Sequence, residues 1–213
     1  MRNFCLAAAN YLGEKLELAA DDRAVIAYGL EVVFSNLVTL LLILVGSMIF
    51  GILKEVVIAA FTWFIIRQSA GGAHCSTLWR CAFLSSFILV VTGLAAVIIA
   101  IILGQDIIII FTACTSLVLV PTYIWAPAPN PNKPINSEAR RKKLRHLALL
   151  LQMALILFFL IVVLITPLFS LTIAGCLSMI TAVLMLTPAG YRVIAAVDRL
   201  CCLLFATIKR KEV

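Results

Sequence analysis

Charge is what this chain has least of. Only 13% of its 213 residues are Asp, Glu, Lys or Arg, against 64% hydrophobic residues and a mean hydropathy of +1.15, where a soluble domain approaches a quarter charged. That excludes a water-soluble globular domain and makes the chain an integral membrane protein. Charge is also missing from the middle of every apolar run, which argues against a small transporter or channel, whose ion path needs ionisable groups within the membrane. No C-x-x-C pair and no second His/Cys cluster occurs, so neither a paired zinc motif nor any other metal or cofactor is expected. The first twenty residues carry charges where the apolar core of a cleavable signal peptide would run, so the first spanning helix is expected to direct insertion. The seven cysteines, an odd number, lie mostly in or beside apolar runs. They argue against a disulfide framework and read mainly as small core side chains. The formal charge of +7 comes from Lys and Arg confined to a few short segments, a pattern of membrane topology rather than nucleic-acid binding.

What is abundant is long apolar runs. A bilayer core of about 30 Å needs roughly 20 apolar residues per helix, and Val32–Leu53, Ala82–Leu103, Ile107–Ala126, Leu147–Ile165 and Leu171–Thr187 each have that length. Val56–Ile66 is a shorter sixth candidate, which spans only if Lys54, Glu55 and Arg67 snorkel at its ends and is otherwise re-entrant. Lys133, Arg140, Arg141, Lys142, Lys143 and Arg145 crowd the loop 127–146, and Arg192, Arg199, Lys209, Arg210 and Lys211 crowd the tail. The turns at 104–106 and 166–167 have no Lys or Arg. Because short cytoplasmic loops collect basic residues, the expected fold is all-α: one polytopic membrane domain over 1–213 with six transmembrane helices and both termini cytoplasmic. Cys5, Ala8, Leu12, Leu16 and Ala19 recur at helical spacing, predicting an interfacial amphipathic helix within segment 1–31. Val193, Val197, Leu200 and Leu204 repeat the pattern in the tail, and four prolines make 126–134 a stiff connector.

One polar stretch interrupts the apolar runs: Arg67, Gly71, Gly72, His74, Cys75, Ser76, Thr77, Arg80 and Cys81. In one continuous helix His74 and Cys81 would share a face but sit roughly 10 Å apart along the axis, too far for a thiolate and imidazole to react together. Cooperation therefore requires a break between them. Gly71-Gly72 can supply it, with Ser76-Thr77 capping a new helix that carries Cys81. Cys75 is a rival nucleophile, disfavoured because neighbours in an extended loop point opposite ways. Three soft ligands, His74, Cys75 and Cys81, suggest a metal site less well, and an interfacial loop whose His and Cys merely pack is the bland alternative.

Arg67, Gly71-Gly72-Ala73-His74 and the cysteine seven positions on, with Tyr28-Gly-Leu-Glu31 before them and Ala128-Pro-Asn-Pro-Asn-Lys133-Pro134 after, resemble the signature of the accessory gene regulator B (AgrB) family, membrane-embedded cysteine endopeptidases of Gram-positive bacteria. The resemblance covers most of the chain. Ala73 stands where that motif often has an aromatic residue. The resemblance implies cleavage of a small AgrD-like precursor peptide and its cyclisation to a thiolactone or lactone signal for quorum sensing, with His74 as base and Cys81 as nucleophile. It implies the bacterial cell membrane as location and a homodimer as assembly.

On this reading the catalytic loop 67–81 lies at the cytoplasmic face, with Glu31, Arg67 and Gly72 in orienting or supporting positions. Lys133, Arg140, Arg141, Lys142 and Lys143 are expected to meet an acidic precursor tail, as the resemblance implies, or anionic membrane lipids. The competing classes are a small transporter without proteolytic chemistry and a non-catalytic membrane sensor subunit.

Overall fold

The computed structural model describes the backbone of residues 2–16, 18–128 and 137–211 and, within them, side chains from Phe4 to Cys202. Among the described residues all regular structure is helical: α1 (Arg2–Lys15), α2 (Ala20–Ile49), α3 (Leu53–Ala70), α4 (Leu78–Ile102), α5 (Gln105–Cys114), a 3-10 turn (Thr115–Val118), α6 (Leu119–Trp125), α7 (Glu138–Ile165), α8 (Phe169–Leu184) and α9 (Pro188–Lys211). Four stretches are long and apolar enough to cross a membrane: α2, α4, the run Gln105–Trp125, and α7. A fifth candidate joins α8 to α9 through a bend of 86°. Six spans were expected. The difference is α3, whose 18 residues reach about 27 Å but include Lys54, Glu55 and Arg67.

α3 nevertheless sits at the centre of the bundle, packed against α4, α7 and α8. Val56, Ala59, Thr62 and Ile66 are buried along it. The outward faces are apolar instead: Ile49, Ile101, Leu150 and Ile165 are all more than two-thirds exposed, which only a hydrocarbon surround makes favourable. The chain is a multi-pass membrane protein.

Between helices that gain little from hydrophobic burial, close approach and hydrogen bonds set the packing. The ring of Phe159 on α7 lies against Gly175 of α8, where any Cβ would overlap it. Ser178 donates to the carbonyl of Ala59 at 2.6 Å and Ser86 to that of Thr39 at 3.2 Å, linking α8 to α3 and α4 to α2. Other buried hydroxyls turn back onto their own helix, as Thr112 does to Ile108 and Thr122 to Val118. In the run Gln105–Trp125 Pro121 lacks the N–H that would bond Leu117, and a 3-10 turn stands just before it.

Burial alters three expectations. The N-terminal helix forms, but its buried stripe is Cys5, Ala9 and Gly13, while Leu12 and Leu16 face outward. Small residues bring α1 onto α2, with Phe4 edge-on to Phe34 at 5.8 Å and the Arg23 side chain lying against Gly13. The expected basic loop is already helix from Glu138, because Ser137 caps α7 by accepting from the Arg140 amide at 3.4 Å. In the tail, Val193 and Leu200 are exposed and Ile194 is buried; Leu204 and the connector beyond Ala128 lie outside the described side chains.

Gly175→Ala is expected to cost about 1–3 kcal/mol through overpacking and to lower the thermal unfolding midpoint in detergent. Adding Phe159→Leu should restore part of the loss. An unchanged midpoint in the single variant would show that α7 and α8 do not depend on this contact.

Candidate functional site

The polar stretch is held between two helix ends. α3 stops at Ala70, and Gly71 (φ 73°) and Gly72 (φ 132°) turn the chain away, a left-handed backbone that side chains with a Cβ rarely adopt. Both positions are also crowded. A Cβ on Gly71 would lie 2.9 Å from the Ala128 carbonyl oxygen, and one on Gly72 would lie 2.8 Å from Arg67 Nη1 and 3.2 Å from the Met185 oxygen. The backbone groups freed by leaving the helix find distant partners: Ala73 N–H donates to Met185 at 2.9 Å, and Ala128 N–H donates to Ala70 at 2.8 Å.

α4 begins at Leu78, with Thr77 as its N-cap accepting from the Arg80 amide at 3.4 Å. Ser35 of α2 donates to the Leu78 carbonyl at 3.1 Å and ties that start down. Cys81 thus sits in the first turn of α4, and His74 stands in the loop before it. The break that cooperation requires is present, and His74 Nδ1 lies 3.6 Å from Cys81 Sγ.

Arg67 is the principal neighbour of the imidazole. Its Nη2 donates to the Ala73 carbonyl at 2.9 Å and lies 3.3 Å from His74 Nδ1 and 3.2 Å from Nε2. Those two nitrogens point their in-plane lone pairs in different directions, so a group nearly equidistant from both rests over the ring face. The guanidinium is also 5.5 Å from the Trp63 ring, within cation–π range. Arg67 therefore fixes His74 twice, through its ring and through the carbonyl of the preceding residue.

The neighbouring Cys81 sulfur, followed by burial and the nearby charge of Asp198, pushes the Cys75 thiol far above its ordinary range. Thiolates are favoured at helix N-termini and beside imidazole, and Cys81 occupies such a position.

A cavity of about 1050 Å³ opens onto this pair. Its walls bring together Tyr28 and Glu31 from α2, residues of the loop between Arg67 and Cys81, and Pro127 with Ala128, the first residue of the third stretch. Glu31 faces the same cavity as His74, but the group in contact with the imidazole is Arg67. Arg140 also lines the cavity, whereas Arg141, Lys142 and Lys143 are exposed on the first turns of α7; Lys133 lies outside the described residues. No group of three or more His, Cys, Asp or Glu among the described residues is arranged to hold a metal ion.

Sequence reasoning missed Asp198. On α9 Tyr191, Ile194, Val197, Asp198 and Cys201 are among the residues turned inward, and Asp198 accepts from the Ser76 amide at 3.3 Å and from Arg80 Nη1 at 3.2 Å. Its signal was faint: an acid between Arg192 and Arg199 in a basic tail.

Gly72→Ala is expected to introduce about 1–3 kcal/mol of backbone strain, displace Arg67, and slow alkylation of Cys81 by iodoacetamide roughly tenfold, an amount matching about 1.4 kcal/mol. Gly104→Ala, at a position with open space around it, serves as the unaffected control. Equal alkylation rates, read by mass mapping, would sever Gly72 from the site.

The family model for accessory gene regulator B matches residues 5–187. AgrB-like protein 2 of Clostridium perfringens (strain 13 / Type A) is 24% identical over 147 residues, 68% of this chain and 69% of that protein. An AgrB-like protein of Clostridium beijerinckii is 30% identical over 139 residues, 62% of this chain and 64% of its own length. A second Clostridium perfringens protein of that description, from strain SM101, is 24% identical over 136 residues, 63% of this chain and 64% of its own. No solved structure matches the chain. With the match running from α1 to the end of the α8–α9 turn, the chain belongs to the accessory gene regulator B family.

Proposed function

We propose that this protein is a membrane cysteine endopeptidase that cuts a short AgrD-like precursor peptide and closes part of it into a thiolactone or lactone ring used in quorum sensing. The observation that carries the reading is the placement of His74 Nδ1 3.6 Å from Cys81 Sγ in the first turn of α4, beside a cavity large enough for a peptide segment. Family membership supports it, and the basic residues support its orientation. Arg140 lines the cavity, and Arg80 sits at its loop. Short basic segments mark the cytoplasmic side, so the cavity faces the cytoplasm of a bacterial cell.

In the proposed reaction His74 takes the thiol proton of Cys81, and Cys81 Sγ attacks the precursor carbonyl. The C–N bond then breaks as His74 returns the proton to the departing amine, leaving an acyl thioester on Cys81. A Cys or Ser of the acylated fragment attacks that thioester, its proton passes through His74 to Cys81, and the ring leaves. Candidate donors to the developing oxyanion are the Leu78 and Trp79 amides, which in the first turn of α4 lack intrahelical partners, with Arg67 as a fixed cation. Going from amide to thioester is uphill, so loss of the cut fragment draws the reaction forward and water exclusion protects the intermediate. Glu31 and Arg140 add an acid and, beside Arg67, a second cation to the cavity wall for side chains of the peptide, and the exposed Arg141, Lys142 and Lys143 extend the positive side toward an acidic tail or anionic lipid.

The test is mass analysis of a candidate precursor, a short peptide encoded beside this gene with an amphipathic segment, a Cys or Ser core and an acidic tail, incubated with the protein in lipid nanodiscs. Cys81→Ala abolishes cutting and the covalent adduct, and His74→Ala slows cutting by about 10²–10⁴-fold. Cys75→Ala keeps both activities. Cutting that survives Cys81→Ala but not Cys75→Ala would overturn the assignment.

A further inference from the structure

The helix that follows the family match is built to reach the reacting loop. Thr187 caps α9 by accepting from the Gly190 amide at 3.2 Å, Pro188 fills the first helical position, and Gly190 approaches the end of α8 so closely that a Cβ would overlap the Leu184 carbonyl. Together these set the 86° bend. α9 then runs across the loop with Tyr191 near Arg67 and Asp198 at the start of α4, while Val193 and Leu200 face outward.

At that point one guanidinium gathers several groups. Arg80 Nη1 donates to Asp198 Oδ1 at 3.2 Å and to Ser76 Oγ at 2.9 Å and also lies 2.8 Å from Cys202 Sγ, while Asp198 Oδ2 accepts the Ser76 amide at 3.3 Å. The two ends of the segment joining His74 to Cys81 are thus clamped to a helix from elsewhere in the chain: Ser76 just after His74, and Arg80 just before Cys81. Burial opposes charge on Asp198, but the hydrogen bonds from Ser76 and Arg80 outweigh it and keep the carboxyl below its ordinary range. The clamp is therefore ionic at neutral pH. The same negative charge acts on Cys75 and opposes a thiolate there.

We propose that Asp198 is a positioning residue of this site: through Ser76 and Arg80 it holds the loop so that Cys81, and not Cys75, is presented to His74. The proposal deepens the endopeptidase reading and rests on it for the identity of the nucleophile. It assigns α9 a task as a strap across the loop.

Full-length protein in nanodiscs, treated briefly with iodoacetamide and mapped by mass, reports the ratio of label on Cys81 to label on Cys75. That internal ratio cancels general opening of the loop. Asp198→Ala is expected to lower it about tenfold, the effect of one pKa unit between two thiols, with an unchanged thermal unfolding midpoint. Asp198→Asn, which keeps an acceptor oxygen, is expected to recover part of the ratio, as loss of fold would not allow. Precursor cutting should fall in the same order. A wild-type ratio in Asp198→Ala overturns the proposal, as does a ratio that follows the unfolding midpoint alone. If wild-type protein cuts no precursor while the ratio still depends on residue 198, the positioning role stands and the endopeptidase reading fails.

Discussion

A non-helical loop between two lipid-bordered helices has to find hydrogen-bond partners for its backbone, because hydrocarbon offers none. Residues 71–77 answer that constraint, and the rest of the site depends on how they do so. Ala73 N–H goes to the carbonyl of Met185, at the end of α8; the Ala70 carbonyl takes the N–H of Ala128, just after α6; the Ser76 amide goes to Asp198 on α9. Each of these bonds also recruits a segment remote in sequence. The place of His74 is consequently set by the bundle as a whole.

This explains which features were legible in the sequence. The long spanning helices were visible because the bilayer imposes length and hydropathy on each alone, and the α4 cap was visible because Ser76-Thr77 is a local signal. The break between His74 and Cys81 followed from helix geometry and two glycines. Packing partners were not visible. Cys5, Ala9 and Gly13 gave a weaker hydrophobic stripe than Leu12 and Leu16, yet small residues win the interface where backbones approach closely. The first turns of α7 read as loop because charge and a preceding proline run outweighed a single serine cap. Asp198 was hidden because its partners lie more than a hundred residues away, and no periodicity carries such information.

The companion of His74 is Arg67 rather than Glu31. Its guanidinium, fixed by the Ala73 carbonyl and near the Trp63 ring, offers positive potential toward Cys81 without giving up a proton. A lysine could not lie flat on the ring while donating to a carbonyl at the same time.

Cysteine and histidine are also held by opposite means, which suits the proposed chemistry. Cys81 belongs to a helix whose continuation is embedded among α2, α3 and α8, so an acyl group bonded to it stays at one depth. His74 belongs to a loop whose freedom comes from Gly71 and Gly72 and whose restraint comes from Arg67, Met185 and, through Ser76, Asp198. A proton carrier has to serve three atoms in turn: the attacking sulfur, the departing nitrogen and the ring-closing nucleophile. Small rotations of a pinned loop residue accommodate that sequence better than a side chain locked on a helix. The nucleophile, which must return each time to the same carbonyl, gains from the opposite arrangement.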